Sequence, residues 1–493
     1  MLQSLIAILT TSALFYMLIG VVLGLIFGAI PGLTATLAVV LLIPITYTMD
    51  ATAGMATLIG AYVGGISGGF VSAIMLNMPG TPASVATCFD GFPLAQQGKA
   101  GKALGVGIAS SLVGSVIGWL CLIVLAPVLS NIALSFGAFE YCAALLFGFT
   151  AVITLGGKSP IKGLICALLG LTLSLVGYDA IGGMSRATYG TAFLMGGIAY
   201  MPALIGLFVV SEIFSQIENI HERYVVPKQE IKDIFMSRKE LKESFPNFIR
   251  SSLIGVAIGI LPGIGGTFAN FVCYDQAKKA SKDPDSFGKG NIQGVVAAEA
   301  GNKGTIGGAL IPFVSLGIPG DMVTAALLGG LMIKGITPGP LFATEQPETL
   351  YAIYNSVLVA SLLVGAIMLL VGIRVFPLAL RIPKHILLPV VLIMALVGTY
   401  NMNFSVNEVW IAVVMGVIGF LMGKLQMPKT PMIITMILGR SFEVYFRTAM
   451  TYSGGSFVPF LTRPYALLFV VITIVTIAAP CIQKLRKAKK AAA

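Results

Sequence analysis

The sequence has few charged side chains. Of its 493 residues only 10% are Asp, Glu, Lys or Arg, whereas 57% are hydrophobic, and the mean hydropathy is +0.94. A water-soluble fold cannot hide this much apolar surface from solvent. The scarcity of charge therefore excludes a soluble globular protein and predicts a chain that is integral to a lipid bilayer.

Residues and motifs that mark enzymes and metal sites are also scarce. The chain has two histidines, neither of them in a ligand cluster, and its six cysteines form no CxxC pair. The GxSxG motif of common hydrolases and the GxxxxGK[ST] loop of ATP-binding proteins do not occur. We therefore expect no enzyme, no ATP-driven pump, no metal site and no cofactor.

The chain has a net charge of +11, and its Lys and Arg residues are frequent in two segments: the central residues 218–245, where they are mixed with acidic residues, and the C-terminal residues 484–490. Lys and Arg concentrate in the cytoplasmic loops of membrane proteins, so both segments are expected in the cytoplasm, and no nucleic-acid partner is predicted. Residues 218–245 are the only long polar segment. They are interpreted as a basic cytoplasmic linker between two membrane halves, residues 1–217 and 246–493.

An internal repeat is present in the two halves. The pattern GxxxGxxPG ends at Pro31-Gly32 and returns 231 positions later at Pro262-Gly263, and Pro79-Gly80 returns 240 positions later as Pro319-Gly320. Pro-Gly breaks at corresponding places in two apolar halves are typical of transporters with discontinuous helices around a binding site. The sequence predicts an all-α integral membrane protein with about 10–12 transmembrane elements. It contains two homologous repeats, interpreted as inverted, with helices broken at Pro-Gly.

The breaks also predict an anion site. Proline lacks an N–H group, and a helix that begins after a break presents unpaired N–H groups and the positive end of its dipole. These are suited to a carboxylate. The candidate substrate-binding residues are the break glycines and the small polar residues that follow them: Gly32, Thr34, Thr36, Gly80, Thr81, Ser84, Gly263, Thr267, Asn270 and Gly320. The alternative for each hydroxyl is an ordinary hydrogen bond within its own helix.

The fourth break differs because Gly320 is followed by Asp321. An ionisable side chain at membrane depth costs about 2.5–3.5 kcal/mol on insertion scales, so it is a functional candidate by default. We predict a role for Asp321 in ion coupling, together with Glu299 and Asn302. Asp321 as the N-terminal cap of a helix is the alternative, and the two roles are compatible. Whether the coupling ion is Na⁺ or a proton is left open.

Several motifs are spaced along the chain: Phe287–Gly290 (FGKG), Glu299-Ala300, Gly307–Pro312 (GGALIP), Leu316–Gly320 (LGIPG), Pro79–Ser84 (PGTPAS), Gln97–Leu104 (QGKAGKAL) and Arg186–Gly190 (RATYG). This set of motifs resembles that of a known family, the large membrane subunit of tripartite tricarboxylate transporters (the TctA family). The likeness continues along nearly the entire chain. It departs at Gln293, Ala298, Lys303 and Asp321, where the resemblance leads us to expect Glu, Pro, Asn and a small residue. These departures concern the substrate and the coupling ion.

The resemblance implies a multi-pass subunit of a secondary transporter in the bacterial inner membrane. Its implied partners are a small four-helix membrane subunit and a periplasmic solute-binding protein. The implied activity is uptake of a tricarboxylate or a related organic acid, in symport with Na⁺ or protons. The alternative is a stand-alone carrier or channel of the same fold that acts without a binding protein.

Overall fold

The computed structural model describes residues 1–155, 159–179, 181–218, 233–263, 265–372 and 384–492. Helix accounts for 80% of the structure and strand for 1%. This confirms the predicted all-α class.

The first half contains eleven described helices. They are α1 (Leu2–Thr10), α2 (Ser12–Ala29), α3 (Ala35–Thr46), α4 (Ala51–Leu76), α5 (Val85–Gln96), α6 (Ala100–Ala133), α7 (Ala138–Leu155), α8 (Pro160–Ser174), α9 (Ala192–Met195), α10 (Tyr200–Ile205) and α11 (Ser211–Ile217). A 3-10 turn (Pro82–Ser84) precedes α5, and a π-helical turn (Gly206–Val210) joins α10 to α11. Between α8 and α9, β1 (Gly177–Tyr178) pairs antiparallel with β2 (Ser185–Arg186).

The second half also contains eleven described helices. They are α12 (Arg238–Gly259), α13 (Gly265–Ala280), α14 (Ile292–Leu316), α15 (Met322–Ile333), α16 (Phe342–Glu345), α17 (Pro347–Ile367), α18 (Lys384–Asn403), α19 (Val406–Lys424), α20 (Lys429–Tyr452), α21 (Val458–Thr462) and α22 (Pro464–Ala492). A 3-10 turn (Pro284–Ser286) follows α13, and a π-helical turn (Met368–Gly372) extends α17.

Seven helical segments in the described residues are long and apolar enough to cross a bilayer. They are α2, α4, α6, α10 with α11, α17 with its π-helical turn, α18 and α19. Five shorter apolar segments accompany them, in α3, α7, α8, α15 and the first part of α22. The chain is therefore a multi-pass membrane protein.

Each predicted Pro-Gly break ends one helix and precedes the next. The breaks separate α2 from α3, α4 from the 3-10 turn before α5, α12 from α13, and α14 from α15. Proline cannot continue the N–H ladder of a helix, and the glycines at the first and third breaks, Gly32 and Gly263, have φ values of 90° and 80°. The predicted discontinuous helices are present in both halves.

The glycines ahead of the first and third breaks allow close packing between helices. α2 packs along α4 and α12 packs along α14. A Cβ atom on Gly28 would lie 2.0 Å from the carbonyl oxygen of Gly65, and one on Gly255 would lie 2.1 Å from that of Gly301. Only glycine permits these approaches, which explains why the GxxxG spacing occurs in both repeats.

Most of the predicted linker, residues 219–232, lies outside the described residues. Its last part belongs to α12, which starts within the predicted segment. Ser237 caps this helix through a capping box, in which Glu240 N–H donates to Ser237 Oγ (3.2 Å) and Ser237 N–H donates to Glu240 Oε2 (2.6 Å). Lys102 at the start of α6 pairs with the same carboxylate at 3.0 Å. The start of the second half is thereby fixed to the first.

Candidate substrate and ion site

A cavity of about 510 Å³, which we call the central cavity, lies where the four breaks meet. Every break contributes to its wall: Thr34 and Thr36 follow the first, Thr81 and Pro82 the second, Gly263 and Gly265–Thr267 belong to the third, and Asp321–Val323 follow the fourth. Segments nearly 300 positions apart in the sequence therefore face one chamber. Of the candidate residues, Thr34, Thr36, Thr81, Gly263, Thr267 and Asp321 line this cavity.

Several hydroxyl groups of the central cavity are available to a ligand. Within the described part of the chain, the side chains of Thr36, Thr267 and Thr430 line the cavity and make no hydrogen bond. Thr34 differs, because its hydroxyl oxygen accepts the N–H of Leu37 at 3.3 Å and so caps α3. Thr430, at the start of α20, was not predicted, since no Pro-Gly break lies beside it in the sequence.

Two helices begin with residues that line the cavity wall. Residues Ala35 and Thr36 open α3, and Gly265 to Thr267 open α13. The first N–H groups of an α-helix have no partner inside the helix, and the positive end of the dipole lies there. Together with the hydroxyl groups they make a wall that is suited to a carboxylate.

Five other candidate residues lie behind the cavity wall and contribute packing or structural hydrogen bonds. They are Gly32, Gly80, Ser84, Asn270 and Gly320. Gly32 contacts the side chain of Gln216 on α11, and Ser84 Oγ is buried 3.4 Å from Thr81 Oγ1. Asn270 accepts the N–H of Ala86 at 2.6 Å and donates to the carbonyl oxygen of Ala298 at 3.1 Å. It thereby connects α5 to the second half.

The amides of two breaks are paired, contrary to the expectation that they would be free. Gly80 N–H donates to the carbonyl oxygen of Gly69 at 3.2 Å, and Gly263 N–H donates to that of Gly320 at 2.7 Å. The breaks pack backbone to backbone, and buried amides in such an arrangement must find acceptors. The available donors are therefore the first-turn amides of α3 and α13 rather than the glycine amides of these breaks.

Asp321 caps α15 and also lines the central cavity. Its Oδ1 accepts the N–H of Thr324 at 2.7 Å and the hydroxyl of the same residue at 2.8 Å. Its Oδ2 accepts the hydroxyl of Tyr62 on α4 at 2.6 Å. The side chain of Asp321 thereby connects α15 to α4. Tyr62 was not predicted, because its contact depends on folding the two halves together.

A buried polar cluster on α14 contains the other two predicted ion-coupling residues. Glu299, Asn302 and Lys303 are fully buried, and Thr87 of α5 donates its hydroxyl to Glu299 Oε1 at 2.5 Å. No hydrogen-bond partner exists in the described residues for Glu299 Oε2, for either amide atom of Asn302 or for Lys303 Nζ. Buried polar groups are costly when unpaired, and Glu299 and Lys303, about one turn apart on α14, attract each other electrostatically.

Asn302 connects this cluster to the central cavity. A Cβ atom on the cavity-lining Gly266 would lie 2.4 Å from Asn302 Oδ1, so the amide group points at this part of the wall. Lys303 lies on another face of α14, against Gly114 of α6. The sequence marked Lys303 as unusual but did not assign it a contact.

A second buried carboxylate, Asp90 on α5, holds the FGKG segment in place. Its Oδ1 accepts the N–H groups of Gly288 (2.9 Å), Gly290 (2.9 Å) and Asn291 (2.8 Å). Its Oδ2 accepts the hydroxyl of Tyr274 at 2.8 Å. Asp90 was missed in the sequence, where the signal was an acidic residue inside an otherwise uncharged segment that follows a break.

Comparison with known proteins gives one family. A family model described as "Tripartite tricarboxylate transporter TctA family" matches residues 14–434. An uncharacterized 52.8 kDa protein in the TAR-I ttuC' 3' region of Agrobacterium vitis is 34% identical over 438 residues, which cover 88% of this chain and 87% of the relative. An uncharacterized protein in the TAR-II ttuC' 3' region of the same organism is 35% identical over 213 residues, 43% of this chain and 87% of the relative. No solved structure matches the chain.

Proposed function

The chain belongs to the tripartite tricarboxylate transporter TctA family, and we propose that it is the translocation subunit of a secondary transporter that takes up a carboxylate. The observation that carries this proposal is the convergence of all four broken helices on the central cavity. Broken helices that meet inside a membrane protein are a recurrent way to build a transport site. Membership of a transporter family argues against an enzyme.

The substrate carboxylate binds, in this proposal, at the first turns of α3 and α13. Thr36, Thr267 and Thr430 donate their hydroxyl groups to it, and the helix amides and dipoles supply the positive potential. Thr34 and Thr81 complete the wall between these donors.

The coupling ion, Na⁺ or a proton, is proposed to act at Asp321, Glu299 and Asn302. Asp321 lies on the cavity wall, Asn302 Oδ1 lies against Gly266 of the same wall, and Glu299 lies about one turn before Asn302 on α14. A cation or proton there compensates negative charge that substrate binding brings into the membrane interior. Movement of the ion down its gradient then drives uptake.

Two partners complete the transporter in this proposal, a small four-helix membrane subunit and a periplasmic solute-binding protein. The word "tripartite" in the family description supports such an assembly. A periplasmic partner implies that the complex resides in the bacterial inner membrane. The binding protein delivers the carboxylate, and this chain carries it across.

We also propose that the two repeats have inverted topology. The end of α15 lies beside the start of α4, because Lys334 donates to the carbonyl oxygen of Met49 at 2.5 Å. The start of α14 lies beside α5, because Asn291 N–H donates to Asp90 at 2.8 Å. The equivalent units α4–α5 and α14–α15 therefore run in opposite directions.

Cysteine labelling tests the inverted topology. The substitutions Thr48→Cys and Asp285→Cys place cysteines at two exposed positions, near the start of α4 and before the start of α14. An impermeant maleimide should label the two cysteines from opposite sides of the membrane, and labelling of both from the same side would reject the inversion.

Uptake into proteoliposomes tests the proposed function. The complete three-component system is supplied with labelled tricarboxylates, dicarboxylates and aromatic acids, under separately imposed Na⁺ and proton gradients. Uptake is expected only with a gradient, and Thr36→Val and Thr267→Val should reduce it about tenfold or more, because each removes a donor to the carboxylate. Thr10→Val is the matched control, since this exposed hydroxyl bonds within α1, away from the cavity.

Three results would contradict this proposal or parts of it. Chemical turnover of an acid without transport would exclude the transport function. Full uptake by this chain alone would favour the stand-alone carrier of the same fold. Asp321→Asn should change the cation or pH dependence of uptake, and an unchanged dependence would remove Asp321 from ion coupling.

A further inference from the structure

The charge on the wall of the central cavity is unusual for a site that takes a multiply charged anion. Among the described residues that line it, Asp321 is the only charged one, and none is Lys, Arg or His. Lys429 is the sequence neighbour of the cavity-lining Thr430, but its ammonium group donates to Ser211 Oγ at 2.6 Å. Without the coupling ion proposed at Asp321, the described residues of the wall therefore offer one carboxylate and no positive side chain.

The carboxylate of Asp321 already occupies the N-terminus of α15. It accepts the first-turn N–H of Thr324 at 2.7 Å, which is the type of bond that a bound carboxylate would make. The repeat places Thr81 at the equivalent position of the first half, and this residue has no charge. Of the helix N-termini at the cavity, α3 and α13 remain for a ligand, and a Cβ atom on Gly265, which opens α13, would lie 3.7 Å from Asp321 Cβ.

The rest of the wall is largely apolar. Ile66, Phe268, Phe271, Met322 and Val323 line the same cavity as the threonine hydroxyls. Phe268 and Phe271 lie one turn apart on α13, and 52% and 40% of their surfaces are exposed. Together they offer a surface for a flat or apolar molecular body next to the first-turn amides of α13.

We infer that the central cavity selects a monocarboxylate with an apolar or aromatic body over dicarboxylates and tricarboxylates, and that Asp321 determines this selectivity. The inference rests on the proposed transport function and names its substrate class. One carboxylate is held by the first-turn amides of α3 and α13 and by the threonine hydroxyls. The body packs on the apolar wall, and Asp321 repels any second carboxylate.

The electrostatic cost of a second carboxylate is large in this setting. Two like charges in a partly desolvated site repel each other more strongly than in water, and the repulsion falls only in proportion to distance. Among the lining residues that the structure describes, no basic side chain offsets this repulsion. Each added carboxylate is therefore expected to weaken binding by about tenfold or more.

Binding of benzoate, isophthalate and trimesate to the purified full-length protein tests this inference. These acids share one ring and carry one, two and three carboxylates, so they vary the charge with little change in the body. Dissociation constants are measured by titration calorimetry at one pH and one ionic strength. The expected order of affinity is benzoate, then isophthalate, then trimesate, with steps of about tenfold or more.

Asp321→Asn tests the residue itself. Asparagine also caps helices, so α15 is expected to remain folded, while the fixed charge is lost. In this variant, the dissociation constants of successive acids should differ by less than about threefold, because the charge that repels the added carboxylates is absent. Tyr62→Phe is the matched control: it removes the hydroxyl that donates to Asp321 but keeps the carboxylate, so the wild-type order should persist.

The outcomes separate this inference from the function on which it rests. Trimesate binding as tightly as benzoate to the wild-type protein would overturn the inference and leave carboxylate transport intact. If the ratios of the three dissociation constants were the same in Asp321→Asn as in the wild type, Asp321 would not determine the selectivity. Folded protein that binds none of the acids, and a complete system that transports none, would overturn the proposed function. The wild-type order is decisive even if a variant does not fold.

Discussion

Replacement of Asp90 should destabilise the protein more than the loss of an ordinary acidic residue. Asp90 is fully buried on α5 and accepts four hydrogen bonds from the second half. Three donors are backbone amides of the segment between Gly288 and Asn291, at 2.8–2.9 Å. The fourth is the hydroxyl of Tyr274. One side chain therefore fixes the loop that precedes α14.

The magnitude follows from the number and kind of these bonds. A hydrogen bond to a charged group contributes about 1.5–3 kcal/mol, whereas a neutral one contributes about 0.5–1.5 kcal/mol. Asp90→Asn keeps an oxygen for the three amides but removes the charge, so the free energy of unfolding should fall by about 3 kcal/mol. Asp90→Ala leaves the three amides and the hydroxyl of Tyr274 without their acceptor, and the loss should exceed about 4 kcal/mol.

Thermal unfolding of the detergent-purified protein measures the effect. For a chain of 493 residues, about 3 kcal/mol corresponds to a fall in unfolding temperature of about 3 °C in Asp90→Asn. The matched control is Asp275→Asn, because Asp275 pairs with Lys279 at 2.5 Å on the surface with 56% of its side chain exposed, and such pairs contribute little. Equal unfolding temperatures for Asp90→Asn and the control would refute the reasoning.

Two further predictions concern packing and pH. Gly80→Ala should lower the unfolding temperature, because the added Cβ would lie 2.0 Å from the carbonyl oxygen of Gly28. The control is Gly423→Ala, whose Cβ would meet no atom within 4 Å, so the unfolding temperature should stay unchanged or rise. Equal effects of the two substitutions would contradict this packing argument. The backbone N–H of Ile181 and the guanidinium group of Arg447 lower the pKa of Asp179 from 3.8 to about 2, so its ionised form is favoured by folding. The stabilisation of the folded state by ionised Asp179 is complete above about pH 4 and is lost as the pH falls toward about 2. The difference in unfolding temperature between wild type and Asp179→Asn should therefore be constant from about pH 5 to 8 and smaller at about pH 3; a difference that changes between about pH 5 and 8 would exclude this assignment.

The helix breaks could be predicted from the sequence because their cause is local. Proline and glycine act on their own peptide groups, so Pro31-Gly32 and its three counterparts mark helix ends wherever the chain folds. Their meeting around one cavity followed from a general rule, since irregular backbone inside a membrane must be buried or face water. The capping role of Asp321 was similarly readable from its position after a break.

The remaining site residues depend on contacts between distant segments. Tyr62 meets Asp321 only when α4 of one half lies beside α15 of the other, and no local pattern around either residue records this. The same applies to Asp90, whose donors lie about 200 positions away. The amides of Gly80 and Gly263 were expected to be free because the packing of one break on another is absent from a linear pattern.

The polar contacts of α5 also restrict how the transporter can move. Asp90 makes four hydrogen bonds to the second half, Ala86 N–H donates to Asn270, and Thr87 donates to Glu299. A movement that separated α5 from α13 and α14 would have to break all six of these bonds, five of them to buried carboxylate oxygen atoms. A movement that carries the broken helices of both halves together breaks none of them. We therefore expect alternating access to shift the central cavity as one body against the surrounding helices, and a disulfide that joins α5 to α14 should leave transport intact.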